Sequence, residues 1–324
     1  GYPDRECRLL QVNPLCGTFG ITQALSGFAG GGIVYCLPVF EAGEAAKIMK
    51  NDQITDINGS DDMFQMLLDQ VQGANPFPAL KNAGYAAFNP ALINLVADAT
   101  ARNVNLYGLW GMSEVQAFVA HQMPNDPVAT RKLVGGWLSS PEAEIRITDP
   151  DTNQPLPFGE KGELEIRCPG QMKEYLDNPE ATAKTITPDG FIKTGDFAIQ
   201  LAPRQFTFLS RMGDVLRLGG FLTDPVEIEN CLADHPQIEK AQVVGVETGT
   251  GTKAIAFLVP TKGGEIDPAT LQQYCKRKMA GYKVPAMFKV LDAFPTTVSA
   301  NGEKVQRSKL RDDAKAMWRQ KIPT

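Results

Sequence analysis

Apolar positions fall into short runs cut by Gly, Pro, Asn and Asp, and the period of those runs changes along the chain. Near the start, 31–39 is a short apolar run suited to a buried strand, and 41–50 follows with helical spacing. The alternation continues with a strand-like 53–57. A helical 63–71 comes next, with Ser60, Asp61 or Asp62 as candidate N-caps, and then a helix over 90–102. Strand and helix in alternation predict a mostly parallel sheet.

From about 127 to 209 the texture becomes β-like: 144–148, 162–167, 190–193 and 205–209 are brief strand patterns between turn residues, which predicts a small β-rich subdomain. After Arg211 alternation returns, with helices over 225–233 and 268–279 and strands over 240–246 and 254–259. That is an α+β module of domain size. The expected fold class is therefore mixed, α/β then α+β, with a core over 1–212 (an α/β part at 1–126, a β-rich part at 127–212) and a second domain over 213–324.

Composition narrows the functional classes. The chain has 324 residues, 43% hydrophobic and 21% charged, which excludes a disordered, collagenous or coiled-coil protein. With 32 Lys+Arg against 37 Asp+Glu the net charge is -5, so broad electrostatic capture of nucleic acid or anionic membrane is not expected. Residues 213–324 hold 16 basic and 13 acidic side chains, a net of +3, while the rest carries -8. No apolar run approaches the roughly 20 residues of a membrane span. The opening Gly-Tyr-Pro-Asp-Arg lacks both a secretory pattern and an initiating Met, so the chain reads as starting inside a longer protein. Six scattered cysteines without a Cys-x-x-Cys pair, and two histidines, argue against zinc or a disulfide framework and for a reduced, cytoplasmic setting.

Four segments carry candidate chemistry. Trp110-Gly111-Met112-Ser113-Glu114 follows the apolar 106–109 and gathers a flat aromatic, a side-chain-free backbone position, a hydroxyl and a carboxylate at an expected strand end, where α/β folds place ligands. Lys193-Thr194-Gly195-Asp196 puts a carboxylate on a Gly turn, able to accept two hydrogen bonds from a ribose diol. Residues 210–221, from Ser210 and Arg211 through Gly213 and Arg217 to Gly219-Gly220, fall where the texture changes, and Gly213 suits a hinge. Near the C-terminus, residues 301–307 form a turn that presents Lys304. Each alone is compatible with an ordinary turn or a solvated charge.

In order and spacing these segments, with the Gly-Glu-Leu block at 162–167, Tyr175 and Pro179-Glu180, resemble the adenylate-forming superfamily of acyl-CoA synthetases, carrier-linked adenylation domains and luciferases. The resemblance covers the chain but only the later part of the family's usual length. Family members carry, upstream of the region resembling 14–20, a subdomain with a Ser/Thr/Gly-rich phosphate loop. The lookalike at 248–253 lies between two strands where the family has a variable hairpin. Further departures are Gly17 where His or an aromatic is common, Gly213 where Asp or Lys is common, and Ser210 in place of Gly.

The resemblance implies a partial adenylate-forming N-terminal domain followed by a mobile C-terminal lid, and a two-step ligase. A carboxylic acid attacks MgATP to give an acyl-adenylate and pyrophosphate, and a thiol then takes the acyl group. It implies that Trp110 stacks on adenine within the Gly111-Met112-Ser113 turn and that Glu114 holds Mg2+. Asp196 takes the ribose hydroxyls and Arg211 the ribose or phosphate edge. Lys304 acts in adenylation, Gly213 is the hinge, and Gly219, Gly220 and Arg217 meet CoA. Expected cofactors and partners are ATP, Mg2+, CoA and a carboxylic acid, by similarity of 299–306 a fatty one. The alternatives are loading of a carrier-protein thiol, or an adenylate-binding chain that depends on a missing N-terminal portion.

Overall fold

The computed structural model describes residues 6–89, 92–299 and 302–321. They form two compact units, Gly1–Phe208 with Ser299–Glu303 and Leu209–Val298 with Lys304–Thr324. No helix among the described residues is long and apolar enough to cross a membrane.

The first unit is organised by an 11-stranded mixed sheet. Its first half comprises β1 (Arg8–Gln11), β2 (Ile33–Cys36), β3 (Asp56–Ser60), β4 (Asn82–Ala86) and β5 (Leu106–Trp110), in spatial order β2-β1-β3-β4-β5. All four pairings there are parallel. The second half adds β6 (Ala120–His121), β7 (Gly135–Leu138), β8 (Glu144–Thr148), β9 (Lys161–Arg167), β10 (Ile192–Ala202) and β11 (Gln205–Arg211) in the order β6-β7-β11-β10-β9-β8. The strands expected as a small β-rich part thus continue the parallel sheet, by antiparallel pairing from β5 onward.

Helices α1 (Thr18–Ala29), α2 (Ala42–Asn51), α3 (Asp61–Asp69) and α4 (Leu95–Ala101) connect the parallel strands, while the short α5 (Val128–Arg131) and α6 (Pro179–Thr185) lie among the antiparallel ones. Their starts follow capping chemistry. Glu41 accepts from the Gly43 and Glu44 amides at 3.0 and 2.6 Å, and Ser60 Oγ from the Met63 amide at 3.2 Å. One apolar core joins α2, α3 and α4 to β1, β3, β4 and β5 around Leu10, Ile57, Phe64, Leu67 and Leu106. A second, around Trp110, Ile147, Leu164, Ile166 and Phe206, fills the antiparallel half.

Several expected boundaries shift. The run at 31–39 narrows to β2, which is an edge strand with Ile33 51% exposed rather than a buried one. Gln53, expected to open a strand, sits in a turn at φ 52, and β3 begins at Asp56. The helix expected over 90–102 begins at Leu95, and residues 90–91 lie outside the described ones. The pattern at 190–193 extends to the much longer β10.

In the second unit, β12 (Leu216–Leu218) and β13 (Phe221–Thr223) form a hairpin, α7 (Pro225–Ala233) follows, and β14 (Ile238–Val246) pairs antiparallel with β15 (Lys253–Pro260). Helix α8 (Pro268–Lys278), β16 (Met287–Val290) and α9 (Arg307–Lys321) complete it, while the hairpin strands β17 (Thr296–Ser299) and β18 (Gly302–Val305) carry the division between the units within them. Pro225 and Pro268 each open a helix behind an Asp cap, Asp224 and Asp267. Helices α7 and α8 cover one apolar cluster of the β14-β15-β16 sheet and α9 another. The 248–253 segment is the β14–β15 turn, held by Thr248 Oγ1 on the Gly251 carbonyl at 2.5 Å, as a hairpin reading requires.

Asp61, at the first turn of α3, is 2% exposed, and its carboxylate accepts from the Phe88 and Asn89 amides at 2.8 and 2.7 Å. Burial outweighs those bonds and pushes its carboxyl up from 3.8 to about 6. The folded protein then holds this proton more tightly than the unfolded chain does, so Asp61 stabilises most at low pH and that contribution is lost as pH rises through about 6. Urea titrations should show the unfolding free energy falling between pH ~4 and ~6 by up to about 3 kcal/mol relative to Asp61→Asn. Parallel pH profiles for the two proteins would contradict this assignment.

Candidate functional site

The expected motif at 110–114 lies at the carboxyl end of β5, the last strand of the parallel half, where the sheet turns antiparallel. The chain leaves β5 through a tight turn that runs into a 3-10 segment at Ser113–Val115, with Gln116 and Ala117 at φ 64 and 56. Left-handed backbone at two consecutive non-glycine residues is costly and marks a turn held by its surroundings. The Ala117 amide donates to the Met112 carbonyl at 3.0 Å and the Val119 amide to that of Trp110 at 3.2 Å. Gly111 lies beneath this turn, and a Cβ there would meet the Ala117 carbonyl carbon at 2.5 Å.

Asp196 reaches the same place from β10. Gly195, at φ 67, opens a bulge that shifts the β9–β10 register between Lys193 and Phe197. The bulge is pinned by Thr194 Oγ1, which donates to the Leu164 carbonyl at 2.7 Å and accepts from the Asp196 amide at 3.1 Å. A bulge re-aims the side chain that follows it. The Asp196 carboxylate, 3% exposed, accepts from Trp110 Nε1 at 2.9 Å.

Trp110, expected to stack on adenine, has its ring largely enclosed by the protein. Its ring is 6% exposed, packs edge-on against Phe206 with centroids 5.2 Å apart, and spends its N–H on the carboxylate. The apolar surroundings of the antiparallel core seat the indole, and its polar tip finds the acid.

Glu114 is half-buried and accepts from the Tyr175 hydroxyl at 2.8 Å, while its carbonyl takes the Met172 amide at 2.7 Å. Burial, and then the bond to Glu114, push the Tyr175 phenol up, so it stays a donor at neutral pH. Ser113 Oγ accepts from Thr18 Oγ1 at 3.0 Å, which ties the motif to the first turn of α1. Thr18 and Phe206 are not legible in the sequence as site residues, since neither stands out without the contact it makes, whereas Thr194 stands in the motif but its anchoring of the bulge does not show there. Glu163 is another such residue. Burial raises its carboxyl, opposed by Lys193 and by a hydrogen bond from the Gly195 backbone.

The remaining expected residues lie in the second unit. Arg211 and Arg217 are exposed, and Gly213 is exposed with open space where a Cβ would stand. Gly219 and Gly220 take φ 57 and 88 at the β12–β13 turn, backbone that L side chains rarely adopt. Lys304 lies on β18, and its side chain is outside the described residues, as is Asn301.

What the first unit offers is a buried, oriented carboxylate beside glycine backbone, and a second, half-buried carboxylate one turn beyond. The first suits a vicinal diol. The second is a hard oxygen donor of the kind that holds Mg2+ together with substrate phosphates, so the residues fit that ion.

Comparison with known proteins places the fold and the family. Residues 2–176 match the AMP-binding enzyme family and residues 227–301 the AMP-binding enzyme C-terminal domain. The chain belongs to the AMP-binding enzyme family. A mitochondrial medium-chain acyl-CoA ligase of Danio rerio is 30% identical over 88% of the chain and 48% of its own length. A crotonobetaine/carnitine–CoA ligase of Salmonella heidelberg is 36% identical over 62% of the chain and 39% of its own. ATP-bound MatB from Rhodopseudomonas palustris superposes with a TM-score of 0.82 at 25% identity, covering 97% of this chain and 61% of that one. The chain spans about half the length of the curated relatives it matches.

Gly111→Ala should force the 116–117 turn away from the β5 end and lower Tm by several degrees, because the clash is with backbone. Ser113→Ala removes only the exposed link to Thr18 and should leave Tm within about a degree of wild type. Equal Tm for Gly111→Ala and wild type would show that the turn is not constrained in this way.

Proposed function

We propose that the chain is the later part of an AMP-forming acid–CoA ligase. Its chemistry would be activation of a carboxylic acid, by the resemblance at 299–306 a fatty one, to an acyl-adenylate, followed by transfer to CoA. The observation that carries the reading is the Asp196 carboxylate, fixed by Trp110 beside Gly111 and Gly195, in a chain whose family relatives are named as CoA ligases. The domain reading is a core over 1–212 and a lid over 213–324, and the setting a reducing, cytoplasmic one, consistent with six free cysteines.

In this reading Asp196 accepts the two ribose hydroxyls of ATP, and Trp110, whose N–H holds that carboxylate in register, meets the adenine. Gly111, Met112 and Ser113 supply backbone that a nucleotide can approach closely. Glu114, steadied by Tyr175, holds Mg2+, which when bound neutralises phosphate charge. Arg211 meets the ribose or the α-phosphate. Lys304 stabilises the charge that builds as the acid oxygen attacks phosphorus and pyrophosphate departs. Gly219 and Gly220 give room for the pantetheine thiol, and Arg217 meets CoA phosphate. Pre-positioning of this kind, rather than covalent participation, is what phosphoryl displacement demands of a protein.

The first test is pyrophosphate release from MgATP with short, long and aromatic acids, with and without CoA. Release should depend on one acid class and fall about a hundredfold or more in Lys304→Ala, whereas thioester formation from a supplied acyl-adenylate survives. Equal loss of both half-reactions would refute that role. Asp196→Asn should raise the KM for ATP about tenfold or more with little effect on that for the acid. Arg217→Glu should raise the CoA requirement alone. Strong activity on a carrier-protein thiol and none on CoA would favour the carrier-loading alternative. Binding of a stable acyl-adenylate analogue without turnover would favour dependence on further polypeptide.

A further inference from the structure

A cavity of about 680 Å3 opens in the first unit, and none of the residues assigned above to the nucleotide lines it. It lies at the carboxyl ends of β1, β2 and β3, between the segments 11–15 and 36–40 and the first turns of α3. Strands β1 and β3 are parallel neighbours, yet the helices that follow them take opposite faces of the sheet. Helix α1 packs on the face of Leu9 and Val34, which a Cβ on Gly27 would meet at 2.9 Å, while α3 packs on the face of Leu10 and Ile57. Helices that part in this way leave a crevice beyond the strand ends, the place where open α/β sheets bind ligands.

The walls are apolar, with Leu15, Leu37, Phe40, Met63 and Met66 among them. The amide side chains at the site have spent their donors within the protein. Gln11 Nε2 donates to the Asn13 carbonyl at 2.6 Å, and Asn13 Nδ2 to Gln23 Oε1 and the Asn58 carbonyl at 2.9 and 2.7 Å. Asp62 Oδ1 accepts from Asn89 Nδ2 at 2.7 Å. Two acceptors are left over. Gln11 Oε1, on a residue 2% exposed, and Asp62 Oδ2 are buried without a hydrogen-bond partner among the described residues. Buried acceptors without donors are costly and rare, and two of them at one cavity call for a ligand that brings donors. Asp62 is the one charged side chain among the described residues that line the cavity, so an anionic ligand would be repelled.

We propose that this cavity binds an apolar ammonium, with its N–H groups on Asp62 Oδ2 and Gln11 Oε1 and its hydrocarbon along Leu37, Phe40 and Met66. Neither the carboxylate nor the phosphates of the proposed ligase reaction suit it, so the site is additional to that reading and does not rest on it.

Isothermal titration of the full chain with hexylammonium and separately with 1-hexanol, at neutral pH and without ATP, tests it. Hexylammonium should bind, and 1-hexanol should bind about tenfold more weakly or worse. Asp62→Asn, which keeps an oxygen for Asn89, should lower hexylammonium affinity about tenfold or more. Met66→Trp, at a position 44% exposed, fills the cavity from its rim and should abolish binding. No binding of hexylammonium, 1-hexanol binding as tightly, or unchanged affinity in either variant overturns the proposal. Failure of acid-dependent pyrophosphate release would count against the ligase reading and leave this result standing.

Discussion

A carboxylate placed inside a protein must be met by donors, and in the first unit that requirement joins two halves of one sheet. Asp196 and Trp110 are 86 residues apart, one on an antiparallel strand and the other at the end of the last parallel one, and the 2.9 Å bond between them closes the corner where the sheet changes sense. Removing the indole N–H would leave the buried acid short of a donor, a cost of about 1–3 kcal/mol. The β10 bulge, the Gly111 turn and the edge contact with Phe206 all serve to bring that pair together.

The second unit solves a related problem with more charge. Glu229, 4% exposed, accepts from Arg307 at 2.6 Å and from the Val243 amide at 2.8 Å, which binds α7, β14 and the start of α9. Burial raises its carboxyl while Arg307 draws it down. Four residues on, Arg311 clamps the 213–214 segment by donating to both the Asp214 carboxylate and the Gly213 carbonyl. The flexible-looking Gly213 is thereby flanked by a fixed residue, so any bending is confined to few dihedral angles. Lys304 lies three residues before Arg307, and its strand is thus anchored at the end nearest this network.

What the sequence made legible follows from where local and global preferences agree. Helix α7 and strand β8 appear at the boundaries their patterns give, because caps, periodicity and packing coincide there. Strand β4, Asn-Ala-Gly-Tyr-Ala, has one strand-favouring residue, Tyr85, among four that do not favour strands. It is a strand because Asn58 Oδ1 accepts the Gly84 amide at 3.0 Å, Asn82 donates to Asp56 at 2.7 Å, and a Cβ at Gly84 would meet Asn58 and Leu109. Those partners lie more than twenty residues away in the chain, so no local pattern could announce them. The site divides the same way. Trp110, Glu114 and Asp196 stand in recognisable motifs, but the burial of the indole and the supports from Thr18, Tyr175 and Thr194 exist only in three dimensions.

That Asp196 sits on a bulge rather than at a free turn bears on how such a site can work. A turn at a strand end would leave the carboxylate hydrated and mobile, and a diol would have to displace water and order the side chain on binding. Within β10 the backbone is held by ladder bonds on both sides of the interruption, with Thr194 and Trp110 fixing the acid before any ligand arrives. The ordering cost is then met in folding. The energy of the contact is left available for positioning, which is what a displacement at phosphorus requires.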